Sequence, residues 1–204
     1  MTGLSRRQAL GGLGTAVLGP VLLAPMRLRA ETFAGRYALR PMPLGEGLWL
    51  VRGADGAIDF ANGGAIANSV ILATTAGPVL FDCGPSLAYG TALRRLARQL
   101  TGQDPALVVV SHLHPDHDLG AGAFAPETVA ALPGTIAEIA RDGPAMTDAM
   151  FRLLADWMRG TELVVPTRRL TPGPLEIGGR SLRLLALAGH SAADLALLDE
   201  RTGT

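Results

Sequence analysis

The stretch VVVSHLHPDHDLG, residues 108–120, limits what this chain can fold into more than any other. Leu107 to Ser111 is a continuous apolar run rich in β-branched residues, the pattern of a short strand buried on both faces. Such a strand needs packed layers above and below it, so the chain must build a covered sheet. His112, His114, Asp116 and His117 follow with no spacer, which delivers four polar side chains to the edge of that sheet.

Their spacing says more. On a helix, His112 and His114 would point about 200° apart. In an extended segment, residues two apart share a side and can converge. Pro115 supports the extended reading, because it disfavours helical backbone at His114. Asp116 and His117 come after the turn, where the chain can aim them at a second point. Gly120 and Gly122 then allow close backbone packing. Imidazole and carboxylate are ligands for zinc or iron-type metals. A catalytic zinc usually takes three protein ligands and a water, so two imidazoles are too few. The chain has four histidines, and the fourth, His190 in LALAGHSAADLALL, also follows an apolar strand pattern. Gly189 before it gives the turn freedom. A lone His-x-His carries little weight and Gly-His-Ser less. Combined with each other and with the apolar run ending at Asp82-x-Gly84, they point to one metal site.

The rest of the chain reads as an α/β domain with sheets between helices. Strands are expected at Gly47–Arg52, and at Ser69–Thr74 and Pro78–Asp82 around a Thr-Ala-Gly turn. Ser86–Leu100 has apolar residues at helical spacing. A second helical region covers about Pro133–Arg159, with an interruption expected at Gly143-Pro144. Strands resume at Arg169–Thr171, Leu175–Ile177, Leu182–Leu187 and Leu195–Leu198, and Asp199–Thr204 reads as the start of a hairpin turn. Met146, Met150, Phe151, Leu154 and Met158 fall at helical spacing and read as a core face rather than a pocket lining. The glycine-rich stretch 53–64 reads as a loop beside the site, with Phe60 equally suited to packing or to touching substrate.

Formal charge is zero and all 18 basic residues are arginine, so nothing in the balance suggests nucleic acid as a partner. Arg94, Arg95 and Arg98 read as a solvated helix face. Cys83 is the single cysteine, so no intramolecular disulfide can form, and its apolar surroundings suggest a small buried hydrophobe. Ser5-Arg6-Arg7-Gln8-Ala9-Leu10 is a twin-arginine pattern, followed by a mildly apolar, glycine-containing run and a small-residue end at Ala30. Residues 1–30 are therefore expected to be an export signal read by the twin-arginine translocase, with residues 31–204 as the periplasmic domain. An uncleaved membrane anchor is the alternative.

From about Leu44 onward these motifs resemble the metallo-β-lactamase superfamily, and the style is closest to its glyoxalase II-like branch and to periplasmic hydrolases associated with quinoprotein and sulfur-oxidation systems. The resemblance implies a four-layer αββα sandwich with metals at one edge of the sheets. It implies that His112, His114 and His190 form a first metal site and that Asp116 and His117 contribute to a second. It implies that Asp82 lies under the metal loop, not as a ligand but as a hydrogen-bond partner that holds the loop in shape. One or two zinc ions are implied, with iron as the alternative. The implied reaction is hydrolysis of an ester, thioester, lactam or lactone in a small-molecule substrate by a metal-activated water, which Asp116 would orient. The family's further bridging aspartate and last histidine find no match. Asp194 is too close to His190, Asp199 sits in the expected turn, and there is no fifth histidine. The domain is therefore expected to be incomplete at its C-terminus. A metal-binding fragment without catalysis, or a di-iron redox protein on the same scaffold, are the rival expectations. Oligomeric state is not readable.

Overall fold

The computed structural model of this chain describes residues 35–204. The expected export signal lies outside the described residues. Ten strands are described: β1 (Pro41–Gly45), β2 (Leu48–Val51), β3 (Ser69–Leu72), β4 (Val79–Phe81), β5 (Leu107–Val109), β6 (Val129–Ala131), β7 (Arg168–Arg169), β8 (Gly173–Ile177), β9 (Arg180–Leu187) and β10 (Asp194–Asp199). Three α-helices join them: α1 (Leu87–Thr101), α2 (Pro115–Asp118) and α3 (Pro133–Leu154). β1 to β7 form one sheet in sequence order, and β10-β9-β8 form a second. The first sheet is antiparallel from β1 to β4 and parallel from β4 to β7.

β5 lies inside the large sheet, and its three residues are fully buried. Leu107 and Val109 face the small sheet and pack with Leu182, Leu184 and Leu195. Val108 faces the other way, into a cluster with Tyr89 and Leu93 of α1 and Ile139 of α3. Helices, large sheet and small sheet are thus the three layers among the described residues. Each fully buried Leu or Val contributes about 1.5–3 kcal/mol, so this two-sided core is what fixes the edge where β5 ends.

α1 starts at Ser86, whose hydroxyl accepts Tyr89 N–H, and stops at Gly102 with φ 78. Arg94 and Arg98 lie on its exposed side and share Asp104 at 3.0 and 3.2 Å. α3 differs from expectation. It runs unbroken through Gly143-Pro144, because its buried residues Ile139, Met150 and Leu154 hold both halves against the core. Met150, Leu154 and Met158 form a small core with Leu119, while Phe151 stays 41 % exposed.

The two sheets are also tied by Arg180, which an ion pair within the small sheet holds in place. Arg180 grips Asp199 through Nε at 2.9 Å and Nη2 at 2.7 Å, and both residues are almost fully buried. Arg180 Nη1 then donates to the Glu46 and Ala73 carbonyls of the large-sheet side at 3.1 and 3.4 Å. Asp199 therefore ends β10 as a structural partner, and it also opens the expected turn: its carbonyl accepts Gly203 N–H at 2.9 Å and its Oδ2 accepts Thr202 N–H at 3.2 Å.

Candidate metal centre

β5 hands the chain on through a bend at His112 and Leu113, where an extended segment was expected, and His114 occupies the N-cap position of α2 with φ −71 and ψ 139. This is the non-helical backbone expected before Pro115. The loop is pressed onto α1 and the end of β4. Cys83 N–H donates to His117 O and Gly120 N–H to Gly84 O, each at 2.8 Å. A Cβ on Gly120 would lie 1.9 Å from Cys83 O, so only glycine fits there. Cys83 itself is fully buried, and burial pushes its thiol pKa well up. It packs in the core with Tyr89 and Leu93.

Asp82 organises the loop. Its φ of 61 puts it in the left-handed region, a strained conformation that aspartate tolerates better than most residues. Its Oδ1 accepts Ser111 N–H at 2.8 Å. Its Oδ2 accepts the Ser111 hydroxyl at 2.9 Å and His117 Nδ1–H at 2.7 Å. The Ser111 oxygen is then left to accept His112 Nδ1–H at 2.7 Å. One carboxylate thereby assigns two tautomers, leaving Nε2 of His112 and Nε2 of His117 as free lone pairs.

His190 reaches the same place from the small sheet. It stands on a loop after β9 that starts at Gly189 with φ 143. Asp194 closes this loop by accepting His190 N–H at 3.0 Å, Ser191 N–H at 2.9 Å and the Ser191 hydroxyl. Burial works against the charge of Asp194, but these bonds outweigh it and hold its pKa below the usual carboxylate value. α3 clamps the loop from the side. Glu138 Oε1 accepts Ala192 N–H at 3.2 Å, and the Thr135 hydroxyl donates to Ala193 O at 2.7 Å.

The result is a convergence of three nitrogens. His114 Nδ1 lies 3.0 Å from His112 Nε2 and 2.9 Å from His190 Nε2, and all three ligand atoms fall within 4.8 Å of one another. A tetrahedral zinc with nitrogens at about 2.0–2.1 Å would hold them about 3.3 Å apart. Burial, then repulsion from His117, His114 and His190, lowers the His112 pKa to about 3. Burial and then His190 lower that of His114. Three ring nitrogens gathered at one point, with the charged form disfavoured at His112 and His114, suit a divalent cation.

Asp116 and His117 form a second pair beside this set and are not part of the converging three. Asp116 Oδ2 lies 3.5 Å from His117 Nε2, and the His112 and His117 ring centres are 4.2 Å apart. Burial lowers the His117 pKa, but the hydrogen bond and charge of Asp82, then Asp116 and Asp118, outweigh it and raise it overall. Asp194 and Asp199 are both engaged elsewhere, in the His190 loop and in the Arg180 pair.

A cavity of about 590 Å³ opens over His112, His117 and His190. Phe60 is not among its lining residues; its carbonyl accepts the Trp157 indole N–H at 2.9 Å instead. Sequence reasoning did not find Ser111, Thr135 or Glu138. They are ordinary polar residues whose partners lie far along the chain, except for Ser111, whose adjacency to His112 was the one available signal.

A search of curated proteins gave no match. Among solved structures, the chain is similar to a metallo-β-lactamase from Pontibacter korlensis, with TM-score 0.59, 19 % identity, 80 % of this chain covered and 67 % of that one. It is similar to a β-lactamase domain protein from Burkholderia ambifaria, with TM-score 0.57, 23 % identity and coverage of 84 % and 54 %. It is also similar to a stereoselective inverting sec-alkylsulfatase from Pseudomonas sp., with TM-score 0.58, 20 % identity and coverage of 80 % and 30 %. The chain thus spans from about two thirds to less than one third of these proteins. At these identities the likeness speaks for the fold, an α/β arrangement that matches the metallo-β-lactamase sandwich. The family model of the metallo-β-lactamase superfamily matches residues 62–202, most of the chain. By that match and that fold, the chain belongs to the metallo-β-lactamase superfamily, whose members are typically metal-dependent hydrolases.

Proposed function

We propose that this protein is a zinc-dependent hydrolase of ester, thioester, lactam or lactone carbonyls, carrying one or two ions at the imidazole cluster. The observation that supports this reading is the convergence of His112 Nε2, His114 Nδ1 and His190 Nε2. When bound, zinc supplies Lewis acidity that polarises a carbonyl and brings the pKa of water to about 7. The remaining work falls to side chains of this protein. Asp82, through Ser111, keeps the His112 lone pair pointed at the common centre, and it holds His117 directly. Asp116, buried beside His117, is proposed to orient the attacking water. Export to the periplasm is proposed from the twin-arginine pattern of residues 5–10.

The test is metal analysis of purified protein together with a hydrolysis screen over thioesters, esters, lactones and lactams. One or two equivalents of zinc, turnover, and loss of both in His114→Ala support the reading. Iron in place of zinc transfers it to the redox alternative, and zinc without any turnover reduces it to metal binding alone.

A further inference from the structure

The cavity over the imidazoles carries one polar group that neither the metal set nor its supports use. Asn68 stands just before β3 and lines the cavity. Its Oδ1 accepts Gly53 N–H at 3.0 Å. Gly53 is fixed in turn, because a Cβ there would lie 2.1 Å from Ile66 O. A bond from Ala54 N–H to Ala65 O at 2.8 Å closes the neck of the same loop. The carbonyl half of the amide is therefore committed, and this orients the other half. Asn68 is exposed, and its side-chain amide nitrogen, with two N–H donors, has no acceptor among the described residues and is open to an incoming molecule.

The walls around it are apolar: Leu50, Val70, Phe81, Leu187 and Leu195. Leu187 is 55 % exposed, a large side chain kept at the mouth of the cavity. The charged groups on the lining are carboxylates, Asp82 and Asp194, and no guanidinium stands among them. The chain has no lysine to supply a cation either. Away from the imidazoles, then, this surface offers an anion nothing to pair with, and it offers a neutral acyl group an oily wall and an amide donor.

We infer that the cavity takes an uncharged acyl compound with an apolar chain, and that Asn68 holds its carbonyl oxygen through the side-chain N–H groups. This rests on the hydrolase reading and narrows its substrate to neutral esters, thioesters or lactones. Asn68 is thus a substrate-binding residue, and the apolar walls favour the uncharged chain over an anionic one.

The probe is hexanamide, a neutral and unreactive acyl analogue, with hexyl sulfate as its anionic match. Both are titrated into chelated and into zinc-loaded protein and followed by the amide signals in nuclear magnetic resonance. In chelated protein, hexanamide should shift the Asn68 side-chain signals and bind more tightly than hexyl sulfate. Asn68→Asp keeps the oxygen that accepts Gly53 N–H, so the fold should be retained, while hexanamide affinity falls about tenfold. Asn68→Ser is the second variant, expected to fall less. The inference is overturned if Asn68→Asp binds as tightly as the parent, if hexyl sulfate is preferred without metal, or if hexanamide does not bind. Zinc that fails to bind while hexanamide still binds through Asn68 overturns the hydrolase reading alone.

Discussion

Leu195 N–H donates to the carbonyl of Ser111 at 2.9 Å, and this bond joins the strand behind His190 to the residue before His112. Two arms from different sheets thus share one register, and the remaining freedom of His190 lies in its own short loop. Asp194 removes that freedom. Asp194→Ala should weaken zinc binding about 10–100-fold, the usual effect of losing a group that orients a ligand. Isothermal titration with zinc checks this, with circular dichroism expected to show an unchanged fold.

Asp82 holds both tautomers and sits at φ 61. Asp82→Ala removes three accepted hydrogen bonds under a buried loop and should destabilise the protein by about 2–4 kcal/mol. Asp82→Asn keeps much of the shape but can accept fewer N–H and O–H groups on Oδ2, so it should fold while losing metal affinity. Urea unfolding and zinc titration of the pair separate the two effects.

The Asp199 pKa is lowered to about 2, first by the hydrogen bonds from Arg180, against its burial, and then by Thr202. A depressed carboxyl contributes stability that is present above its unfolded pKa of about 3.9. That contribution is lost as pH falls through the folded value, and it amounts to about 2 kcal/mol. Urea midpoints should therefore drop between about pH 4 and pH 2 in the parent, and less steeply in Arg180→Met/Asp199→Leu. Arg180→Met alone leaves a buried carboxylate unpaired and should cost about 3–5 kcal/mol near neutrality.

Asp118 is 3 % exposed and neither carboxylate oxygen has a hydrogen-bond partner among the described residues. Burial, opposed by His117 and reinforced by Asp82 and Asp116, raises its pKa well above the usual value. A raised carboxyl costs stability as pH climbs from the unfolded pKa toward the folded one. Asp118→Leu should thus stabilise the chelated protein by about 1–3 kcal/mol at pH 8. The gain should shrink toward pH 4, and melting curves of the two proteins across pH measure it.

The sequence made β5 and the imidazole loop readable because burial on both faces leaves an unbroken apolar run and metal chemistry uses few residue types. β6 was not readable. Val129-Ala130-Ala131 has little β-branched character, and its strand form comes from parallel pairing with β5 and β7. The helix break at Gly143-Pro144 failed for a tertiary reason, since Gly143 packs against Leu163 and the core holds α3 on both sides of the proline. Asp194 was visible only as an aspartate lacking a metal role, and Asp199 as one that opens a turn. Their roles depend on the His190 loop and on Arg180, and the latter partner is 19 residues away. Glu138 meets Ala192 across 54 residues, a contact with no spacing signature.

The central claim is that the imidazoles of 112, 114 and 190 bind one cation together. X-ray absorption at the zinc edge, on protein loaded with one equivalent, tests it most directly. The expected spectrum shows three imidazole nitrogens at about 2.0–2.1 Å, falling to two in His190→Ala. A His190→Ala spectrum identical to the parent, or zinc held without imidazole scattering, would contradict it.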